Sequence, residues 1–242
     1  MSAPRRVQLE PAWLLHHRPW SDSSRIVELT TRHHGRVTLF AHGARRPKSP
    51  WRSLLRPFLP LSVSWTGRAD GGTLTAAEAS GAAPRLPADR LLSGFYLNEL
   101  LLKLLPREDR HERLHDAYGE ALAGLAESAG HQPLRAFERV LLEELGYGLE
   151  LGADAAGGGP LDPDRYYHFE PGRGLLAVRE GEPQDAFRGG DLLAVARGEL
   201  GEPQALAAAR RIYGAAIAHC LEGRGLASRE VMLALRRREH GP

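Results

Sequence analysis

Residues 25–60, RIVELTTRHHGRVTLFAHGARRPKSPWRSLLRPFLP, decide the fold of the N-terminal part of the chain. Apolar and polar residues alternate at 26–31 and again at 36–41, and a His-His-Gly turn at 33–35 separates the two runs. Alternation with a period of two on both sides of a glycine-containing turn predicts an antiparallel β-hairpin.

The segment after this hairpin is cationic and contains no acidic residue. Its cations are Arg45, Arg46, Lys48, Arg52 and Arg56. Trp51 and Phe58 lie within the same proline-rich segment. Positive charge combined with aromatic side chains is typical of surfaces that bind a nucleic-acid backbone. We therefore predict that this loop contacts DNA through its cations, and Trp51 is a candidate for stacking on a base.

Three further segments have the β pattern. These are 12–16, the alternating run LPLSVSWT at 59–66, and 73–79. Five short strands within about eighty residues predict a small closed barrel, and the five-stranded OB-fold β-barrel is the common nucleic-acid binder of this size. The basic segment would then connect the third and fourth strands.

Helical patterns follow the predicted barrel, so the fold class is α+β. They cover 88–105, 109–126, 133–145, 191–197, 203–221 and 228–238. Glycine and proline are dense between 148 and 190, where 166–169 and 175–178 could pair as a small hairpin. We predict a nucleic-acid-binding domain at 1–80, a helical domain at 81–147, an irregular insertion at 148–190, and C-terminal helices at 191–242 that complete the helical domain.

The charge distribution indicates where an anionic partner would bind. Residues 1–80 hold 12 Lys and Arg against 5 Asp and Glu, a balance of +7, whereas the remaining 20 against 25 give −5. The net charge of +2 hides this asymmetry. A merely solvated basic face is the alternative interpretation.

The single cysteine, Cys220, excludes an internal disulfide and a cysteine-based zinc site. The N-terminal residues contain no signal-peptide core, and no apolar run reaches the length of a membrane span. We predict a cytoplasmic protein without a cofactor.

Residues 111–115 read HERLH, a literal HExxH pattern. On a helix this pattern would place His111 and His115 on one face as zinc ligands, with Glu112 as the general base of a metallopeptidase. Charged residues surround it, whereas the zinc-binding helix of a peptidase is normally buried and apolar. We predict no catalytic residue and no metal site, and we keep the zinc peptidase as an alternative function.

The other aromatic residues of the strand patterns are Trp13, Trp20, Phe40 and Trp65, and we predict that they lie in the barrel core. In the third helical pattern, Arg135 and Arg139 are spaced i,i+4 and could form a second basic site for a peptide carboxylate. Exposed helix arginines without a ligand are the alternative on spacing alone.

Several segments in the same order resemble the RecO family of bacterial recombination mediators. They are LLHHRPWSDSSRIVEL at 14–29, GRVTLFAHGARRPKSPWRSLLRP at 35–57, YLNELLLKLL at 96–105, LRAFERVLLEELGYG at 134–148, and GLASRE at 225–230. The last segment has Ala227 where the family ending has a lysine. The resemblance spans nearly the whole chain.

The resemblance implies an N-terminal OB-fold followed by a helical domain. It implies binding of single- and double-stranded DNA, annealing of complementary strands without ATP, and binding of the C-terminal tail of single-stranded DNA-binding protein. Together with RecR, such a protein helps to load RecA onto covered single strands, and it would associate with the nucleoid during repair. An alternative function to that of a recombination mediator is a pure adaptor, which joins other repair proteins and touches DNA only weakly.

The resemblance also assigns residues by position. Arg36, Arg45, Arg46, Lys48, Arg52 and Arg56 lie in the stretch that forms the basic DNA-binding face of the family. Leu134, Arg135 and Arg139 lie in the helix implicated in docking the acidic tail. Many members carry a four-cysteine zinc site in the region that corresponds to 148–190, but this chain has no cysteine there. We therefore predict no zinc.

Overall fold

The computed structural model describes residues 6–68, 70–127, 130–178 and 185–239. The chain divides into two compact units, one formed by 1–128 together with 226–242 and the other by 129–225. This division differs from the domains expected from the sequence, whose boundaries at 80, 147 and 190 stay a prediction. None of the described helices is long and apolar enough to cross a bilayer.

Five strands form a closed barrel in the first unit. They are β1 (Arg6–Trp20), β2 (Ser24–Thr31), β3 (Gly35–Ala41), β4 (Pro60–Thr66) and β5 (Asp70–Ala79). Their order is β1-β2-β3-β5-β4, with antiparallel closure between β1 and β4 and a parallel pair between β3 and β5. The predicted five-stranded OB-fold barrel and the α+β class are confirmed.

Strand β1 is much longer than the predicted 12–16. Its register shifts between Val7 and Glu10 and again between Leu14 and His16, which lets one strand pair with β4 along its first half and with β2 along its second. Bulges of this kind bend a strand and break the two-residue alternation. Because the alternation is interrupted at the bulges, the sequence pattern predicts a strand shorter than β1.

Alternate side chains of the strands fill the barrel. Val27, Leu29, Val37 and Leu39 are fully buried, as is Trp65 of β4. The prediction of a core position is therefore confirmed for Trp65.

The same prediction is wrong for the other three aromatic residues. Trp13 lies outside the barrel, with its ring edge-on to Tyr118 at 5.4 Å between centroids. Trp20 is 48% exposed, and Phe40 is half-buried. Phe40 points outward because its β3 neighbours Leu39 and Ala41 take the inward positions.

The helices of the first unit are α1 (Trp51–Leu54), α2 (Ala88–Leu104), α3 (Glu112–Glu127) and α7 (Ala227–Glu239). Helix α2 is held to the barrel by a buried polar chain. Its Asn98 donates a hydrogen bond to the carbonyl oxygen of Leu15 at 2.9 Å and accepts one from the Tyr118 hydroxyl of α3. Burial raises the pKa of Tyr118, so this hydroxyl stays a donor. The chain fixes α2 and α3 against β1.

The turn between β2 and β3 lies close to the segment before α3. Gly35 has φ +66°, and a Cβ there would overlap the carbonyl group of Asp109. The backbone N–H of Glu108 donates to the carbonyl oxygen of Arg36 at 3.1 Å. A glycine in the turn therefore lets this segment pack on the barrel.

The second unit contains α4 (Gln132–Glu144), α5 (Gly189–Arg197) and α6 (Pro203–Cys220). A three-stranded sheet is formed by β6 (Tyr166–Glu170), β7 (Gly174–Ala177) and β8 (Phe187–Arg188), in the order β7-β6-β8. The predicted hairpin is confirmed, while the two-residue β8 was missed because so short a strand has no periodicity. Part of the predicted insertion, 179–184, lies outside the described residues.

Candidate nucleic-acid interface

Residues 43–58, within the connection between β3 and β4, form a segment that we call the basic loop. Its apolar residues face the protein: Ala44, Leu55 and Phe58 are buried, and Trp51 and Leu54 pack half-buried against the barrel core. Phe58 packs with its ring 5.1 Å from that of Phe95 on α2. These contacts anchor the loop at several points along its length.

Hydrogen-bonded turns hold the remainder of the loop. The backbone N–H of Arg46 donates to Gly43 at 3.1 Å, that of Ser49 to Arg46 at 3.0 Å, and that of Leu55 to Trp51 at 2.8 Å. The loop therefore has a defined backbone on which its charged side chains are presented.

The cations of the loop face outward. Arg45, Arg46, Lys48, Arg52 and Arg56 are all exposed. Within the described parts of the chain, none of these five side chains forms an ion pair with a carboxylate. The structure thus brings together five of the predicted DNA-binding cations with their charges uncompensated at short range, which is the arrangement that phosphate binding requires.

Arg45 links the basic loop to the turn between β1 and β2. Its guanidinium donates a hydrogen bond to the carbonyl oxygen of Ser21 at 2.9 Å, and its backbone N–H donates to Ser23 at 2.8 Å. The turn and the loop therefore form one continuous surface.

Arg36 occupies a different environment from the loop cations. Its side chain is 15% exposed, pairs with Glu28 at 3.4 Å and donates to the carbonyl oxygen of Leu105 at 3.2 Å. Burial lowers the pKa of Arg36, and the charge of Glu28 opposes that effect. This geometry favours a structural role for Arg36 over contact with DNA.

Trp51 is held in place within the connection between β3 and β4. Its indole N–H donates to the carbonyl oxygen of His42 at 3.2 Å, and its ring is half-buried against the core. This geometry favours an anchoring role, and base stacking by Trp51 stays a prediction.

In the second unit, the predicted tail-binding residues are in three different environments. Leu134 is buried. Arg135 is 9% exposed and pairs with Glu138, itself 1% exposed, at 3.0 Å. Arg139 is 40% exposed and pairs with Glu143 at 2.8 Å. The structure therefore does not form the basic pair that the i,i+4 spacing suggested, since one arginine is committed to a buried ion pair.

A cleft of about 240 Å³ opens beside Arg139. Residues that line it include Arg139, Leu142, Glu143, Leu149, Val195 and Tyr213. Burial raises the pKa of Tyr213 to about 12, so its hydroxyl is a hydrogen-bond donor at neutral pH. The cleft combines apolar walls with one guanidinium, one phenol and the two carboxylates of Glu143 and Glu150.

The HExxH residues do not form a metal centre in the described part of the chain, where no group of three or more potential ligands could hold an ion. Glu112 pairs with Arg32 at 3.0 Å and also with Arg110. His115 is buried beside Trp13, and burial lowers its pKa. Glu112 thus joins the start of α3 to the β2–β3 turn, and His115 packs α3 against β1.

Comparison with known proteins agrees with this architecture. The family model described as "Recombination protein O N terminal" matches residues 7–83, and "Recombination protein O C terminal" matches residues 86–230. The chain belongs to the RecO family.

Similar proteins named DNA repair protein RecO cover almost the full length of this RecO-family chain. The protein of Alkalilimnicola ehrlichii is 46% identical over 96% of this chain and 93% of its own length. That of Nitrosococcus oceani is 42% identical over 96% and 95%, and that of an Azoarcus species is 41% identical over 97% and 99%. The resemblance described from the sequence is confirmed.

One set of residues at the interface was not predicted. Trp20, Phe40 and His42 lie together on the outer face of the barrel, next to the basic loop. The sequence does show that Phe40 lies on the opposite face of β3 from Val37, Leu39 and Ala41, because the residues alternate. Only the closed barrel shows which of the two faces is buried.

Proposed function

We propose that this RecO-family chain is a mediator of recombinational DNA repair that acts by binding DNA and protein partners, without catalysis. The single observation that carries the proposal is the set of five exposed, uncompensated cations on an anchored loop of an OB-fold barrel. Membership of a family whose members are named DNA repair proteins supports it.

The proposed mechanism rests on phosphate neutralisation. Cations of the basic loop displace condensed counterions from the DNA backbone, which favours binding irrespective of base sequence. A cationic surface also screens the repulsion between two backbones held close together while their bases remain free to pair. Annealing of complementary strands would follow from this without ATP.

We further propose the partners that the family resemblance implies. The acidic C-terminal tail of single-stranded DNA-binding protein would bind at the cleft beside Arg139, whose guanidinium would exchange Glu143 for the tail carboxylate. Apolar walls and the donor hydroxyl of Tyr213 support this assignment. With RecR, the complex would help RecA to load on single-stranded DNA.

The test of the DNA-binding proposal is a salt titration. Charge reversal of Arg45, Arg46 and Lys48 together should weaken binding to any DNA sequence. It should also reduce the slope of log K against log salt by about 2–3, since each of the three lost phosphate contacts removes roughly 0.7–0.9 from that slope. The matched control is Arg165→Glu, an exposed arginine of the second unit.

Unchanged affinity and slope in the triple variant would reject the basic loop as the binding site and favour a pure adaptor. The peptidase alternative is not favoured because Glu112, its general base, is committed to two arginines.

A further inference from the structure

The outer face of the barrel carries three exposed or half-exposed rings in a row. Trp20 ends β1, and its ring lies 5.3 Å from that of Phe40 on β3. The Phe40 ring lies 6.4 Å from that of His42 with only 16° between their planes. We call Trp20, Phe40 and His42 the aromatic row.

Two hydrogen bonds hold the basic loop beside the aromatic row, one to a member of the row and one to the residue after Trp20. Trp20 directly precedes Ser21, whose carbonyl oxygen accepts the hydrogen bond from the Arg45 guanidinium. The carbonyl oxygen of His42 accepts the indole N–H of Trp51. A DNA strand whose phosphates lie along the loop would therefore bring its bases to these rings.

The neighbouring positions add positive charge. Arg18 is exposed and lies in register with Ile26 and Phe40 across the three strands. Opposite residues of antiparallel strands share a face of the sheet, so Arg18 is on the same face as Phe40. The row is thus flanked by cations at Arg18 and Arg45.

We propose that the aromatic row is a stacking site for the unpaired bases of single-stranded DNA, distinct from the phosphate contacts of the basic loop. Exposed aromatic rings beside cations are the combination with which OB-folds bind single strands, and every base offers a flat face for stacking. In a duplex the faces of the bases are already stacked on one another. The row therefore gives this chain a preference for single strands, whereas the basic loop binds either form.

This inference rests on the proposed function, because it assumes that the barrel of this chain binds DNA. It also deepens that function: a site that holds bases of one strand outward presents them to a complementary strand. Of the possible occupants, a protein partner fits less well, because the rings lie between cations that neutralise a phosphate backbone.

The experiment compares two DNA probes and three variants of the full chain. The probes are an oligothymidine of roughly 16 nucleotides, the upper end of the site size of one OB-fold, and a duplex of the same length. The variants are Trp20→Ala, Phe40→Ala and Trp20→Phe, each with its thermal unfolding midpoint measured to confirm folding.

We expect Trp20→Ala and Phe40→Ala to weaken oligothymidine binding about tenfold, with an unchanged salt slope and unchanged duplex affinity. Trp20→Phe should keep the affinity, because phenylalanine also stacks, while losing the quenching of tryptophan fluorescence by oligothymidine that Trp20 contributes.

Equal losses for both probes would overturn the proposal, since loss of a site that stacks unpaired bases should weaken binding of the single-stranded probe alone. Unchanged oligothymidine affinity in both alanine variants would also overturn it and point to a protein partner. The charge-reversal triple variant separates the two proposals. If it binds both probes normally while Trp20→Ala binds only oligothymidine more weakly, the basic loop is rejected as a DNA-binding site and the aromatic row is supported. The reverse result rejects the row and keeps the loop.

Discussion

The guanidinium of Arg45 donates a hydrogen bond to the carbonyl oxygen of Ser21 at 2.9 Å. Arg46 and Lys48 have the same exposed setting, but within the described residues their side chains make no hydrogen bond. Arg45 therefore has two tasks, since it adds charge to the basic loop and also ties the loop to the β1–β2 turn.

This difference predicts unequal effects of two charge-removing variants. Lys48→Ala should lower DNA affinity and reduce the salt slope by about 0.7–0.9, the loss of one phosphate contact. Arg45→Ala should produce the same slope change with a larger loss of affinity, because the released loop must be ordered again on binding. Salt titrations give the slopes, and hydrogen exchange of residues 43–58 should rise in Arg45→Ala alone. Identical exchange in both variants would contradict the anchoring role.

Arg36→Ala separates fold stability from DNA contact. The substitution removes a half-buried ion pair with Glu28 and leaves the carbonyl oxygen of Leu105 without its donor. We expect the free energy of unfolding to fall by about 2 kcal/mol. The DNA affinity of the folded variant, measured well below its unfolding midpoint, should be unchanged. A loss of DNA affinity without a loss of stability would show that Arg36 contacts DNA, as the family resemblance implies.

Alanine substitution of Arg135 should affect stability, whereas that of Arg139 should affect peptide binding. Arg135→Ala leaves the buried Glu138 carboxylate without this guanidinium, so the free energy of unfolding should fall by about 3 kcal/mol. Arg139→Ala should change stability by less than about 1 kcal/mol, as expected for an exposed pair, but should weaken binding of an acidic peptide that ends in Asp-Phe. Urea unfolding and peptide anisotropy measure the two effects. Equal stability losses would show that both arginines are structural.

Some properties of this fold are local in the sequence and others are not. The barrel strands, the basic loop and the helices follow from periodicity, glycine and proline positions, and charge, which act over a few residues. Arg36 donates to Leu105, which is far away in the sequence. Arg135 and Arg139 each have a glutamate three or four residues later, and local spacing does not show that only the first pair is buried.

The orientation of aromatic residues is likewise a tertiary property. Phe40 and Trp65 both lie in alternating strands, yet one faces outward and the other fills the core. A two-residue period gives two faces without saying which is buried. In β3 the inward face is taken by Val37, Leu39 and Ala41, and the aromatic residue is left on the surface.

Gly35 and Gly43 form a matched pair for testing close backbone approach. Both have positive φ, +66° and +70°, so alanine costs roughly 1–2 kcal/mol of conformational energy at either position. A Cβ at Gly43 would meet its nearest neighbour, Arg46, at 3.6 Å, whereas one at Gly35 would overlap backbone atoms of Asp109. Gly35→Ala should therefore destabilise the protein by at least about 2 kcal/mol more than Gly43→Ala. Equal unfolding free energies in urea would mean that the segment before α3 can move away without cost.

Glu99 stabilises the start of α7 and makes its contribution depend on pH. Its carboxylate accepts hydrogen bonds from the backbone N–H groups of Ala227 and Ser228 at 2.8 and 2.9 Å and from the Ser228 hydroxyl at 2.6 Å. Lys103 pairs with it at 2.9 Å. Burial alone would raise the pKa of Glu99, but these donors outweigh burial and lower the pKa to about 2.

A carboxyl group whose pKa is lower in the folded than in the unfolded state stabilises the fold above its ordinary pKa of 4.5, and this contribution declines as pH falls towards 2. Glu99→Gln should therefore cost about 1.5–3 kcal/mol at neutral pH, the value of hydrogen bonds to a charged group. The difference from the unsubstituted protein should shrink progressively below pH 4.5. Urea unfolding at neutral and acidic pH measures it, with Glu120→Gln on the exposed side of α3 as the control. A difference that stays constant with pH would mean that the carboxylate charge contributes nothing to the capping of α7.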